Sequence, residues 1–161
     1  MKKKIEEALN EQINKELFSA YLYLSMSAYL EGESLPGAAR WMQVQAKEET
    51  EHAMKLYAHI HERGGRVLLK SLDGPEQEWK SPLAAFEDAL KHEIFITESI
   101  HNLVTMATEE KDYATLNMLQ WFVSEQVEEE SNARDNVEMF KRVENHPQGL
   151  FMVDRALAQR Q

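Results

Sequence analysis

Four stretches of this chain repeat apolar residues at helical spacing, and each series is interrupted near its middle by acidic, amide or imidazole side chains. The first runs Leu9, Ile13, Glu16, Ala20, Tyr23. The second carries Glu49 and His52 among Met42, Ala46, Ala53, Leu56 and Ile60. The third runs Phe86, Leu90, Glu93, Ile94, Thr97, Ile100, Val104, and the fourth Leu116, Leu119, Val123, Gln126, Glu129, Ala133, Val137, Phe140. Residues three or four apart share one helix face, so the interrupting groups point inward with their apolar neighbours. Antiparallel helices of similar length bring their midpoints to one level, which gathers all six polar groups into a single layer. Several carboxylates cannot stay ionised together in a dry core unless cations compensate them. A hydrogen-bonded polar layer or a proton-sharing carboxylate cluster is the alternative. The number of acidic groups, with no core-facing Lys or Arg to offset them, favours metal.

Local signals divide the chain into helices. The first is expected from Ile5 to about Glu31, ended by Gly32. Ser34 is the candidate N-cap of the second, with Pro36 and Gly37 in its opening turn and Gly64-Gly65 as its stop. The stretch 65–81 has no sustained period. Its roughly 17 residues can reach about 55 Å, more than the roughly 42 Å of a long helix, so it is expected to cross the whole bundle. Val67, Leu68, Leu69 and Leu72 should pack this crossover on the bundle or on a neighbouring subunit. Ser81 and Pro82 open the third helix, and Asp112 caps a fourth that reaches about Asn145. His146-Pro147-Gln148-Gly149 should break the chain before a short amphipathic helix in Leu150 to Gln161, which must dock to be stable. The expected architecture is all-α: a four-helix bundle with a long crossover between helices two and three and a short fifth C-terminal helix. Residues 1–145 form the bundle, and 146–161 add a short helix and tail to the same domain.

The function classes narrow from composition. At 161 residues the chain suits one domain, and the lack of Cys removes disulfides and thiolate ligands. A formal net charge of -10 disfavours nucleic acid and suits a protein that attracts cations. No apolar run approaches the roughly 20 residues that span a bilayer, and Met1-Lys-Lys-Lys leads into an amphipathic helix instead of a signal segment. The expectation is a soluble, cytoplasmic protein with no membrane or nucleic-acid partner.

The polar layer divides into two metal positions. One takes Glu16 and His52, the other Glu93 and Glu129, and Glu49 bridges both. Gln126, a neutral amide, is expected to orient a ligand or water. Oxygen-rich ligation with one imidazole suits Fe(II), Mn(II) or Zn(II). The second helix offers Glu49 and His52 but the fourth offers Gln126 and Glu129, so one position lacks a histidine, which favours oxidise-and-release over a permanently held cofactor. Tyr23, two turns beyond Glu16, is placed to reach a ligand with its hydroxyl. Glu48, Glu125 and Glu128 each adjoin an inner residue and so lie about 100° away from it around the helix. They are either solvated glutamates or a third metal site. His59, His61, His92, His101 and His146 have no comparable neighbourhoods and are read as packing or surface groups.

The run YLYLSM after Glu16, the stretch KEETEH, KHEIFITESI and LQWFVSEQVEEES resemble the non-haem bacterial ferritins. The resemblance extends over essentially the whole chain. It implies a ferritin-like fold and a ferroxidase that oxidises Fe(II), with dioxygen or peroxide as acceptor, and stores hydrated ferric oxide inside a hollow homo-oligomeric shell of 24 subunits. By motif match it puts the dinuclear iron ligands on Glu16, Glu49, His52, Glu93, Gln126 and Glu129, a third iron site on Glu48, Glu125 and Glu128, and the site-proximal tyrosine on Tyr23. Trp121 sits near the same level, as packing or as an electron donor. Haem is not expected, because Thr50 stands where haem-binding relatives place the methionine ligand. The fifth helix separates the chain from the twelve-subunit DNA-protecting relatives. A di-iron oxidase or peroxide-detoxifying enzyme without bulk storage is the alternative function.

Overall fold

Helix boundaries follow the local chemistry of the chain, with two informative exceptions. A computed structural model describes residues 1–160, and among these it contains five helices and no strand: α1 (Lys3–Gly32), α2 (Pro36–Glu62), α3 (Pro82–Glu109), α4 (Tyr113–Val143) and α5 (Pro147–Leu157). Ser81 caps α3 by accepting from the Ala84 N–H at 3.1 Å, and Asp112 caps α4 by accepting from the Thr115 N–H at 3.1 Å. Ser34 does not cap α2. Its φ of 61° places it in the left-handed region, where it closes α1 while the Leu35 N–H reaches back to the Leu30 carbonyl at 3.0 Å. The α2 start is served instead from far along the chain: Asp154 Oδ1 on α5 accepts the Ala38 N–H at 2.8 Å. The second exception is α5, which begins at Pro147 and includes Gly149. Proline fits a first helical turn because its missing N–H has no partner there anyway, so the break falls before Pro147.

The topology is that of two antiparallel hairpins joined by a crossover. The pairs α1/α2 and α3/α4 pack closely, α1 also meets α3, and α5 lies on α2 and α4. The crossover tracks α1 from end to end. Asn10 binds the Arg66 carbonyl and the Leu68 N–H at 3.1 and 2.7 Å, Ser25 binds the Glu76 carbonyl, and Trp79 packs edge-on to Tyr29 at 5.4 Å. Helix α3 therefore starts at the far end, as the chain-length argument requires. Val67 packs on the bundle, whereas Leu68, Leu69 and Leu72 remain exposed on the single chain.

The core comes in two apolar halves. Ile5, Leu9, Ile13, Leu56, Ile60, Ile100 and Leu119 fill one end, while Met26, Leu30, Met42, Phe86, Phe140, Val153 and Leu157 fill the other. Between them lie the polar groups that interrupt the four series. One residue departs from the expected face: Ile94 is exposed and Ile96 is buried. Being next to Glu93, Ile94 is turned about 100° off the inward line that Ala89, Glu93, Ile96 and Ile100 occupy.

Candidate metal centre

Each of the four long helices delivers its polar group to one level. Glu16, Glu49, His52, Glu93, Gln126 and Glu129 are all buried. Ligand atoms of Glu16, Glu49 and His52 lie within 4.8 Å of one another, as do those of Glu49, Glu93 and Glu129. Glu49 belongs to both groups. His52 Nδ1 is 3.6 Å from Glu49 Oε2, the i,i+3 pair on α2. A cavity of ≈ 10 Å³ borders Tyr23, Gln45, Glu93 and Glu129, about the room of one water or one ion. The cleft between Leu83 and Leu150 is lined mainly by apolar groups and lies away from this layer.

The electrostatics of the layer call for positive charge. Burial, and then the negative charge of Glu49, push Glu16 up to about 8. Burial and then Glu93 push Glu129 up to about 7. Glu49 is raised well above the ordinary carboxylate range by burial and by Glu93 and Glu129. Burial raises Glu93 too, although Tyr23 and Gln126 donate to it. Glu16 Oε2 is buried and has no hydrogen-bond partner. An acceptor without a protein donor, buried among carboxylates, suits a cation, which offsets its desolvation cost.

The remaining expected residues occupy distinct positions. The Tyr23 hydroxyl donates to Glu93 Oε1, and Gln126 Nε2 donates to Glu93 Oε2 at 3.1 Å, so these two orient one carboxylate from opposite sides. Glu125 Oε1 lies 3.7 Å from His52 Nε2 and falls with His52 and Glu129 in a third cluster of potential ligand atoms. Glu48 is drawn instead to Arg160, and Glu128 is exposed and joins no such cluster among the described residues. The Trp121 ring packs edge-on to His52 at 5.4 Å beneath the Lys55 ammonium.

Four supporting residues, Gln12, Lys15, Gln45 and Ser99, escaped the sequence reading. Gln12 Nε2 donates to Glu16 Oε1 at 2.8 Å, while Ser99 donates to Gln12 Oε1 and Lys15 to Ser99, each at 2.6 Å. Gln45 Nε2 donates to Glu49 Oε1 at 3.1 Å and Glu129 Oε2 at 2.6 Å. A signal for two of them was present: Gln12 and Glu16 on α1, and Gln45 and Glu49 on α2, repeat one Gln-x-x-x-Glu spacing that places amide and carboxylate side by side. Ser99 has no such signal, because it comes from the facing helix.

Fold and site together define a four-helix bundle with a carboxylate-rich centre suited to metal ions. The Ferritin family model, described as Ferritin-like domain, matches residues 6–143. The bacterial non-heme ferritin of Campylobacter jejuni is 44% identical over 96% of this chain and 93% of its own, and that of Staphylococcus epidermidis 39% identical over 99% and 96%. Among solved structures, an open pore ferritin from the hyperthermophilic archaeon Archaeoglobus fulgidus is 50% identical with a TM-score of 0.99, over 100% of this chain and 99% of that one. The chain belongs to the ferritin family. Among its described residues no helix is long and apolar enough to cross a membrane.

Proposed function

We propose that this protein is a non-haem ferritin of the cytoplasm that oxidises Fe(II) to Fe(III) at a dinuclear centre and stores the product as hydrated ferric oxide inside a shell of 24 copies. The observation that carries the reading is the buried convergence of two ligand clusters on one shared carboxylate, Glu49. Glu16 and His52 hold one iron and Glu93 and Glu129 the other. Gln126 and Tyr23 keep Glu93 aimed. Two Fe(II) ions supply one electron each, which with two protons reduces dioxygen to hydrogen peroxide, or peroxide to water. Iron is the substrate here, and the layer's carboxylates offset its growing positive charge as it is oxidised.

The route onward runs through an outer position formed by Glu48, Glu125 and Glu128, with Glu125 nearest the centre. Residues 1–145 and 146–161 act as one domain. The exposed Leu68, Leu69, Leu72, Phe151 and Met152 are apolar surface for neighbouring copies in the shell.

Stopped-flow absorbance after mixing anaerobic Fe(II)-loaded protein with oxygen tests the centre. Glu49→Ala and His52→Ala should each remove the fast phase, Glu49→Ala more completely because it serves both irons. Unchanged fast kinetics in both folded variants overturns the assignment. A small oligomer that turns over peroxide and retains only its paired iron points to the oxidase alternative, whereas a soluble shell filled with ferric ions is the expected result.

A further inference from the structure

The chain beyond α5 folds back onto the metal layer. Three residues past Leu157, in a turn where the Arg160 N–H meets the Leu157 carbonyl at 3.3 Å, the Arg160 side chain enters the bundle flank and is only 17% exposed. Its guanidinium stacks on Trp41 with Cζ 4.1 Å from the ring centroid. One nitrogen, Nη1, donates to Gln45 Oε1 at 2.8 Å and the other, Nη2, to Glu48 Oε2. Gln45 in turn donates to Glu49 and Glu129.

This chain of contacts has one possible polarity. A guanidinium only donates, so an amide beside it must turn its oxygen to Arg160, which leaves its nitrogen to donate to the two carboxylates. Arg160 thereby settles how Gln45 restrains the shared ligand of the centre. The same group also places a positive charge on Glu48, the outer carboxylate beside Glu125, Glu51 and His52.

We propose that Arg160 is a positioning residue for the metal route: it stands in for a cation at Glu48 and fixes Gln45 on Glu49 and Glu129, and metal gains Glu48 by displacing it. This rests on the outer position proposed above. The fifth helix, which docks through Asp154 and the Ala38 N–H, thus sets where the guanidinium sits and couples terminal-helix docking to outer-site occupancy.

Zn(II) alone, which does not turn over, is the probe. Calorimetric titration with anomalous scattering to locate the ions should show the inner pair filled in native protein and in Arg160→Gln, with the outer position about tenfold tighter in Arg160→Gln, the scale of one charge-assisted hydrogen bond. Arg160→Lys keeps the charge and should return outer affinity towards the native value. In native crystals at a Zn(II) concentration that fills the outer position, the guanidinium should have left Glu48. Equal outer affinity in native and Arg160→Gln protein with a normally filled inner pair, or Zn(II) on Glu48 with Arg160 still paired to it, overturns the role of Arg160 alone. Native protein that binds Zn(II) at none of these carboxylates overturns the metal reading with it.

Discussion

Glu48 and Glu49 are chain neighbours with the same side chain, as are Glu128 and Glu129, yet the members of each pair live in different media. Glu49 and Glu129 are 1% and 4% exposed in a pocket of other carboxylates, whereas Glu128 faces solvent and Glu48 rests half-buried on Arg160. One residue of helical phase, about 100°, makes the difference. The inner carboxylates are buried against one another, and each raises the cost of ionising its neighbours. Glu128 sits where water screens it, and Glu48, whose carboxyl burial pushes up, has the Arg160 guanidinium as its counter-charge. The same contrast separates the central layer from the helix ends, where single capping contacts act one at a time.

Five variants test that contrast, taken from the largest expected effect down. Glu49→Gln should weaken Zn(II) binding at the inner pair beyond the roughly 10–100-fold that supporting groups alone contribute. The joint Glu48→Gln, Glu125→Gln and Glu128→Gln variant should keep that binding within about twofold. Calorimetry on both variants decides, and equal losses would erase the distinction between layers.

At the bundle end, Gly37→Ala puts a Cβ where the Asp154 carbonyl oxygen would lie 1.9 Å away. The Cβ would meet the Asp154 backbone, which cannot turn aside as a flexible side chain could, so α5 should undock at a cost of about 3 kcal/mol. Thermal unfolding and faster proteolysis near α5 report this, while the inner pair still fills with Zn(II).

The opposite end depends on pH through Asp112. Burial pushes its carboxyl up, but the bonds from Arg63 and the Thr115 N–H, with the Arg63 charge, hold it below its ordinary 3.8. A depressed carboxyl stabilises the fold above 3.8 and loses that contribution as pH falls through the lower folded value. Asp112→Asn keeps an N-capping side chain but loses the charge that Arg63 pairs, so it should cost about 1 kcal/mol at neutral pH, and the gap to native protein should shrink in acid denaturation series. A gap constant down to strongly acid pH contradicts the cap-and-pair account.

The smallest effect is a gain. Lys111 adopts φ 54° at the end of α3, a conformation that glycine reaches without Cβ strain. Lys111→Gly should raise stability by about 0.5–1 kcal/mol with no change in metal binding. A loss of stability would mean that the lysine side chain contributes more than its backbone strain removes.

Much of the centre was legible because helical period is a local property. Glu16, Glu49, His52, Glu93, Gln126 and Glu129 each fall in phase with apolar neighbours, and Ser81 and Asp112 announce their caps by position alone. Ile94 was misplaced because an apolar residue beside an inward glutamate fits the average pattern while pointing out. Ser34 was misread because a serine between two helices satisfies the rule for starting one as well as it occupies the end of the other.

The sequence by itself determined the five helices, their common polar depth and the length of the crossover, all of which follow from spacings within one segment. Only the tertiary structure decided that Asp154 caps α2, that Ser99 holds Gln12 against Glu16, and that Arg160 holds Gln45 and Glu48. The contacts that do this, Asp154 to Ala38, Ser99 to Gln12 and Arg160 to Gln45 and Glu48, join groups between 87 and 116 positions apart. No local period encodes a pairing of that range: it exists only once helices pack at a fixed register, and that register is set by the burial of whole faces at once.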